Sequence, residues 1–287
     1  MPELPDVEAL ARTLGARCVG RSVQRVDLAA FSCLKTSGVA PGALGGLEVT
    51  GVERFGKHLC FAIGGIYLVV HFGRAGWLVW RDVQLTSPAS LGRGPLALRV
   101  VFDDDSGFDL TEAGTRKRLA VWVVSDLGEV GSVASLGIEP LSSGFTLDAL
   151  GEILDSAGGA QLKSVLRDQR RIAGIGNAYS DEILWTARLS PFAACARLTP
   201  DQRESLHQAI LFVLTTAIDD LAGVDIKALK PHKKASYRVH ARSGEPCPAC
   251  GTEILEVSFA DTSWQYCPSC QTGGKTLADR RMSRLLK

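Results

Sequence analysis

The chain has 287 residues, of which 46% are hydrophobic and 22% charged, with a formal net charge of +1. That length suits two medium domains plus a small module, and the apolar share is ample for packed cores. The longest apolar run, near Tyr67–Phe72, is far too short to span a bilayer, and the opening Met1–Asp6 has neither the basic nor the apolar region of a secretory signal, which predicts a cytoplasmic protein. The near-zero charge conceals an asymmetry: Val224–Lys287 carries eleven Lys or Arg against six Asp or Glu, so the basic charge lies toward the C-terminus.

In chain order, Val7, Leu10, Ala11 and Leu14 recur at helical spacing directly after the opening prolines, predicting a helix that ends near Gly15 and Gly20. From about Val23 to Val124 the pattern changes to short β runs broken by glycine: Leu47–Val52, His58–Ile63, Ile66–Phe72, Leu96–Val100 and Leu119–Val124. These imply a β-sandwich or flattened barrel. A linker at Pro140–Gly144 precedes a helical region. Thr146 is placed to cap a helix over Leu147–Leu154. Leu162, Val165, Leu166 and Gln169 line a second helix, and Asn177 is placed to cap a third. Thr199-Pro200 opens a long fourth helix running to Leu221. A basic, poorly periodic stretch, Lys227–Arg242, leads into a cysteine cluster. The expected fold is therefore an α+β multidomain chain: a β-sandwich domain at 1–135, a helical domain at 136–223, a basic connector at 224–240, a cysteine-bearing finger at 241–272 and a basic tail at 273–287.

Four of the eight cysteines, Cys18, Cys33, Cys60 and Cys195, are scattered as buried thiols of a reducing compartment would be. The other four form Cys247-Pro-Ala-Cys250, sixteen residues, then Cys267-Pro-Ser-Cys270, the spacing of a four-thiolate zinc ribbon. Four thiolates leave no open coordination position, so the expected Zn²⁺ is structural and cannot activate water. The stretch Arg170–Asn177 is pinched by Gly174 and Gly176 between two helices; such a turn serves phosphate binding or close packing equally well. Removal of Met1 is expected before proline, and would leave Pro2 with a free secondary amine of pKa near 8, roughly, able to attack a sugar C1′. Glu3 stands beside it as a general acid. Taken alone, a Met-Pro-Glu start is common and proves nothing.

The combination resembles the formamidopyrimidine-DNA glycosylase and endonuclease VIII family. PELPDVEAL, GKHL with Lys57, HFGRAGWL at His71–Leu78, LRDQRRIAGIGNAYSDEIL at Leu166–Leu184, and YRVHARSGEPCPACG leading to YCPSCQ fall in that family's order over nearly the whole chain. The resemblance implies a bifunctional glycosylase and abasic-site lyase, with a helix–two-turn–helix and a zinc finger. It implies a monomeric, nucleoid-associated enzyme whose partner is double-stranded DNA containing a damaged, oxidised base or an abasic site.

By match, Pro2 is the nucleophile, Glu3 protonates the deoxyribose ring oxygen, and Lys57 contacts phosphate near the lesion. Asn177 holds backbone phosphate, and His71, Arg74, Arg118 and Leu119 fall in DNA-contacting segments. Two departures stand out. Thr262 occupies the place of the finger's phosphate-binding arginine, without its charge or fork. Arg74 stands where many relatives have methionine, and Leu119 where they have an aromatic wedge, which bears on lesion choice because extruding a nucleotide costs a few kcal/mol. The tail beyond Gln271, with Lys275, Arg280, Arg281, Arg284 and Lys287, suits phosphate contact and a solubilising helix alike. The competing readings are a non-catalytic damaged-DNA-binding protein on the same scaffold, and a tautomerase using Pro2 as base, which the ribbon disfavours.

Overall fold

The computed structural model describes residues 1–36, 38–82, 94–259 and 262–277. The chain divides into two units, Met1–Ser135 with Leu221–Lys230, and Leu136–Asp220 with Pro231–Lys287.

The first unit opens with helix α1, Leu4–Cys18, and continues through strands β1 (Val23–Leu28), β2 (Val49–Phe55), β3 (His58–Ile63), β4 (Ile66–His71), β5 (Gly76–Arg81), β6 (Leu96–Phe102), β7 (Gly107–Glu112) and β8 (Ala120–Val124), then the single turn α2 (Gly131–Ala134). Two antiparallel four-stranded sheets result, ordered β1-β6-β7-β5 and β2-β3-β4-β8. Their inner faces share one core: Leu59, Phe61, Leu68 and Val70 of one sheet meet Leu78, Leu98, Val100, Phe108 and Leu110 of the other. Phe61 and Phe108 stack across it with ring centroids 5.0 Å apart. The helical stripe of α1 (Val7, Leu10, Leu14, Cys18) closes the same core, so the sandwich expectation holds, with α1 running beyond Gly15. Strands β5 and β7 are absent from the β runs legible in the sequence. Their alternation is blurred because both faces are largely buried.

The second unit contains α3 (Leu147–Ala157), α4 (Leu162–Arg167), α5 (Asn177–Thr186), most of α6 (Pro200–Leu221), a hairpin of β9 (Leu255–Ser258) and β10 (Ser263–Tyr266), and α8 (Pro268–Thr272). Thr146 caps α3 by accepting the Ala149 N–H at 3.2 Å. At the start of α6, Thr199 Oγ1 accepts the Gln202 N–H at 3.3 Å while Gln202 Oε1 accepts the Thr199 N–H at 3.0 Å, a reciprocal box that fixes the boundary.

Three expectations change. Lys227–Arg242 contains a helix, α7 (Leu229–Ser236), with Pro231 in its first turn. Gly176 takes the cap position of α5 and Asn177 its first helical residue, which frees the asparagine side chain for other work. Gln169 lies beyond α4 and stitches the two-turn connection: its Nε2 donates to Arg167 O (2.9 Å) and Ile175 O (2.7 Å), and its Oε1 accepts the Gly174 N–H (2.9 Å).

At the centre of this unit Lys163 and Asp181, both fully buried, form an ion pair. Lys163 also donates to Asn177 O at 3.2 Å, and His240 Nδ1 lies 2.8 Å from the second Asp181 oxygen. Removing one member of a buried pair strands the other charge away from water. We therefore expect Lys163→Met to destabilise the protein by about 3–5 kcal/mol, read as a lower urea midpoint; an unchanged midpoint would show that Asp181 finds water or another donor.

Candidate functional site

In the first unit, Pro2 and Glu3 are buried where the chain enters α1, with Glu3 only 2% exposed. The Glu3 N–H donates to Asp6 Oδ2 at 2.7 Å, so an acid in the first turn pins the extended residue that precedes the helix. One turn on, Glu8 accepts from Arg54 Nε at 3.0 Å, and the same guanidinium donates to Gly56 O at 3.2 Å. Gly56 and Lys57 form the two-residue turn between β2 and β3, and Gly56 has φ 55°, a conformation that suits glycine. Arg54 therefore ties the helix bearing Pro2 and Glu3 to the turn bearing Lys57. Lys57 is itself 7% exposed, which removes the reading of a solvated loop lysine.

His71 pairs across strands with His58, their rings 5.0 Å apart. Burial pushes both imidazoles down to about 4, with the neighbouring Lys57 acting in the same direction. Both are neutral near pH 7. His71 Nδ1 accepts the Gly73 N–H at 3.3 Å, so its Nε2 carries the proton and is a neutral donor. His58 is held at both ends, by Phe55 O (3.2 Å) and Ser132 Oγ (2.9 Å). Sequence reasoning passed over His58, because only the strand register places it against His71.

Arg74 and Arg118 are exposed. Leu119 is corrected: at 2% exposure it belongs to the sandwich core, packed against Gly76, and is not presented as a wedge. Its N–H and that of Arg118 both donate to Glu112 Oε1, at 2.9 and 2.6 Å.

In the second unit, Asn177 Nδ2 donates to Ser263 O at 2.9 Å, bracing the two-turn motif against the hairpin. An amide NH₂ has two donors, so this bond occupies one of them. Thr262 is half-buried beside that contact and its carbonyl accepts the Phe259 N–H at 2.8 Å. The Glu182 carboxylate, 6% exposed, accepts the N–H groups of Arg238, Val239 and His240 at 2.9, 3.0 and 2.8 Å, and burial nevertheless pushes its pKa up. Of the basic tail, Lys275 is described and exposed, whereas Arg280, Arg281, Arg284 and Lys287 lie outside the described residues.

The sulfurs of Cys247, Cys250, Cys267 and Cys270 all lie within 4.8 Å of one another. The Cys250–Cys267 and Cys247–Cys270 separations are 3.4 and 3.9 Å, against about 3.8 Å for the edge of a tetrahedron with zinc–sulfur bonds of about 2.3 Å. Trp185 Nε1 donates to Cys247 Sγ at 3.3 Å, the partner a thiolate requires. Gln271 accepts the Cys267 N–H at 2.8 Å and donates to Leu189 O at 2.9 Å, fastening this knuckle to the helices. The donor set fits a closed structural zinc site. By contrast Cys18, Cys33, Cys60 and Cys195 are buried free thiols; burial pushes Cys18 and Cys60 up to about 12, as inert thiols require. No helix among the described residues is long and apolar enough to cross a membrane.

Three family models match: the formamidopyrimidine-DNA glycosylase N-terminal domain over residues 1–121, the formamidopyrimidine-DNA glycosylase H2TH domain over 136–228, and the zinc finger found in FPG and IleRS over 244–273. The formamidopyrimidine-DNA glycosylase of Symbiobacterium thermophilum is 35% identical over 292 residues, covering 98% of this chain and 93% of its own. An uncharacterized formamidopyrimidine-DNA glycosylase-like protein of Mycobacterium tuberculosis is 58% identical over 127 residues, covering 44% of this chain and 80% of its own. Among solved structures, the Lactococcus lactis enzyme non-covalently bound to abasic-site DNA superposes with a TM-score of 0.81 at 26% identity, covering 94% of this chain and 99% of the other. The MutM (FPG) protein from Thermus thermophilus gives 0.79 at 28%, covering 96% and 100%.

Two outcomes are expected. Elemental analysis should find one zinc per chain, and Cys250→Ser or chelation should unfold the hairpin, because metal binding supplies on the order of 10–16 kcal/mol to such modules; metal-free protein with an intact hairpin would refute the site. The two histidines take up protons near 6.5 when unfolded but only near 4 when folded. The unfolded chain therefore binds more protons in that window, so stability held above about pH 6.5 declines as the pH falls toward 4. The urea midpoint followed across that range should drop, and His58→Gln should shrink the drop.

Proposed function

This chain belongs to the formamidopyrimidine-DNA glycosylase family, and from that premise we propose that it excises a damaged base through the amine of Pro2 and then cleaves the strand by elimination. It is a DNA glycosylase of base repair, with damaged or abasic DNA as its partner and one structural Zn²⁺.

Loss of Met1 exposes a secondary amine of pKa about 8, neutral in useful fraction at cell pH. The amine attacks C1′ of the deoxyribose, the glycosidic bond breaks and its electron pair leaves with the base. Glu3 protonates the ring oxygen, the sugar opens, and an iminium forms between Pro2 and C1′. Loss of a C2′ proton then expels the 3′ phosphate, and water releases the proline. Lys57 and His71 offer a cation and a neutral donor to the phosphates beside the reacting sugar. Arg74 and Arg118 engage the strands around the vacated position, and Asn177 grips the backbone from the two-turn motif. Thr262 leaves the finger with a neutral contact, so less of the phosphate attraction resides there than a guanidinium would supply.

The observation that carries this reading is the mounting of Pro2 and Glu3. Both are buried, Glu3 is pinned by Asp6, and the helix they lead into is tied through Glu8 and Arg54 to the turn that holds Lys57. A binding protein has no need of such an arrangement at a chain terminus. The non-catalytic alternative is favoured only by the neutral Thr262, and one experiment separates the two.

Abasic-site duplex incubated with borohydride should become covalently attached to the wild type, and mass spectrometry should place the adduct on Pro2 with Met1 absent. Pro2→Gly should weaken strand cleavage severely while leaving fold and DNA affinity nearly unchanged. Glu3→Gln should lower base excision by about 10²–10⁴-fold, with a smaller loss at a preformed abasic site, whose sugar opens unaided. Full activity in protein that retains Met1 would refute the mechanism.

A further inference from the structure

The connection from β7 to β8 spans Ala113–Leu119, and its residues Arg116, Lys117 and Arg118 are consecutive, exposed cations. Three like charges in a row repel one another, and a free loop of this composition would spread. Here it is fastened from beneath by one acid. Glu112, the last residue of β7, is 3% exposed, and its Oε1 accepts the backbone N–H groups of Arg118 and Leu119 at 2.6 and 2.9 Å. Its own N–H donates to Pro95 O at 2.7 Å, its carbonyl accepts from Lys117 Nζ, and it pairs with Gly76 at the start of β5.

A second contact joins this loop to the turn after β4. Gly73 has φ 57°, and a methyl group on its Cα would lie 2.6 Å from both the carbonyl carbon and the carbonyl oxygen of Arg118. The two backbones therefore lie in contact, and the turn that carries Arg74 packs on the loop that carries Arg118. Leu119 completes the clamp by burying its side chain in the core. Arg118 is thus held at its N–H by a carboxylate, at its carbonyl by a glycine and at its neighbour by the core, while its own side chain points to solvent.

We propose that Glu112 is the positioning residue of the DNA-engaging surface. It never touches nucleic acid; it presents Arg118, and through Gly73 the Arg74 turn, in a preformed arrangement. Its side-chain oxygen holds both loop amides in place before DNA arrives, so the ordering of the loop does not weaken binding. This rests on the reading of Arg118 as a DNA contact.

The test measures binding to an undamaged and an abasic-analogue duplex over a range of salt, with wild type, Glu112→Gln, Glu112→Ala, Arg118→Ala and the Glu112→Ala/Arg118→Ala double variant. A positioned cation contact contributes a slope of about 0.9 per phosphate to the logarithmic salt dependence. Glu112→Ala is expected to lower the slope by about 1–2 and to raise KM about tenfold, with kcat at saturating DNA within about threefold of wild type. Glu112→Gln keeps the accepting oxygen and is expected to restore the slope. The double variant is expected to bind no more weakly than the worse single variant, because both changes remove one contact. Amide exchange at Arg118 and Leu119 should accelerate in Glu112→Ala and not in Arg118→Ala.

An unchanged slope in Glu112→Ala, additive losses in the double variant, or slow exchange at those amides would each overturn the proposal. So would equal loss of kcat and melting temperature in the Gln and Ala variants, which would make Glu112 a folding residue only. Salt-dependent binding without borohydride trapping would sink the catalytic reading and leave Glu112 standing. A wild type that binds no DNA would overturn both.

Discussion

A carboxylate taken out of water must replace its hydration with donors, and the protein exploits that constraint repeatedly. Among the described residues, Glu3, Asp6, Asp109, Glu112, Asp181 and Glu182 are all buried. Most of them satisfy themselves on something that would otherwise move. Asp6 accepts from the extended N-terminal residue, Glu112 from the basic loop, and Glu182 from three successive amides leading into the finger. Asp109 gathers Arg99 and Arg81 across neighbouring strands. Asp181 gathers Lys163 and His240. A buried ion is a poor source of net stability, but an unsatisfied one is so costly that the loop which satisfies it has little choice of conformation.

This accounts for where rigidity is found. Sandwich and helices supply cores, while several of the groups proposed to meet DNA, Lys57, Arg74 and Arg118 among them, ride on turns and loops, which are intrinsically the softer parts of a fold. The acids convert those turns into extensions of the scaffold. The zinc knuckle does the same through metal–sulfur bonds: four thiolates fix the base of a short hairpin, β9 and β10, and Gln271 and Trp185 carry that rigidity back to the helices.

The sequence disclosed what is local. The zinc spacing, the α1 stripe, the cap at Thr146, the opening of α6 at Thr199-Pro200 and the β3 boundaries rest on local sequence patterns, and all are found as read. What it concealed is long-range. Leu119 aligns with a wedge position, and only its burial against Gly76 in the sandwich core shows that its side chain turns inward. His58 gains meaning only opposite His71, and Glu112 only beneath Arg118. Helix α7 was missed because Pro231 stands in its first turn, where a proline is tolerated although it reads as a helix break.

The first unit is not continuous along the chain. Leu221, Ile226 and Leu229 belong to the same apolar core as α1 and the two sheets, yet the whole of the helical region before them is synthesised in between. On the ribosome, where chains emerge at about 5–20 residues per second, the sandwich must wait for those side chains with part of its core open. A nascent chain released before Leu229 would carry a complete set of strands and an incomplete interior. Vectorial synthesis therefore gives this protein an interval in which part of that core stays open, and a premature stop codon in α6 would injure the N-terminal domain as surely as the C-terminal one.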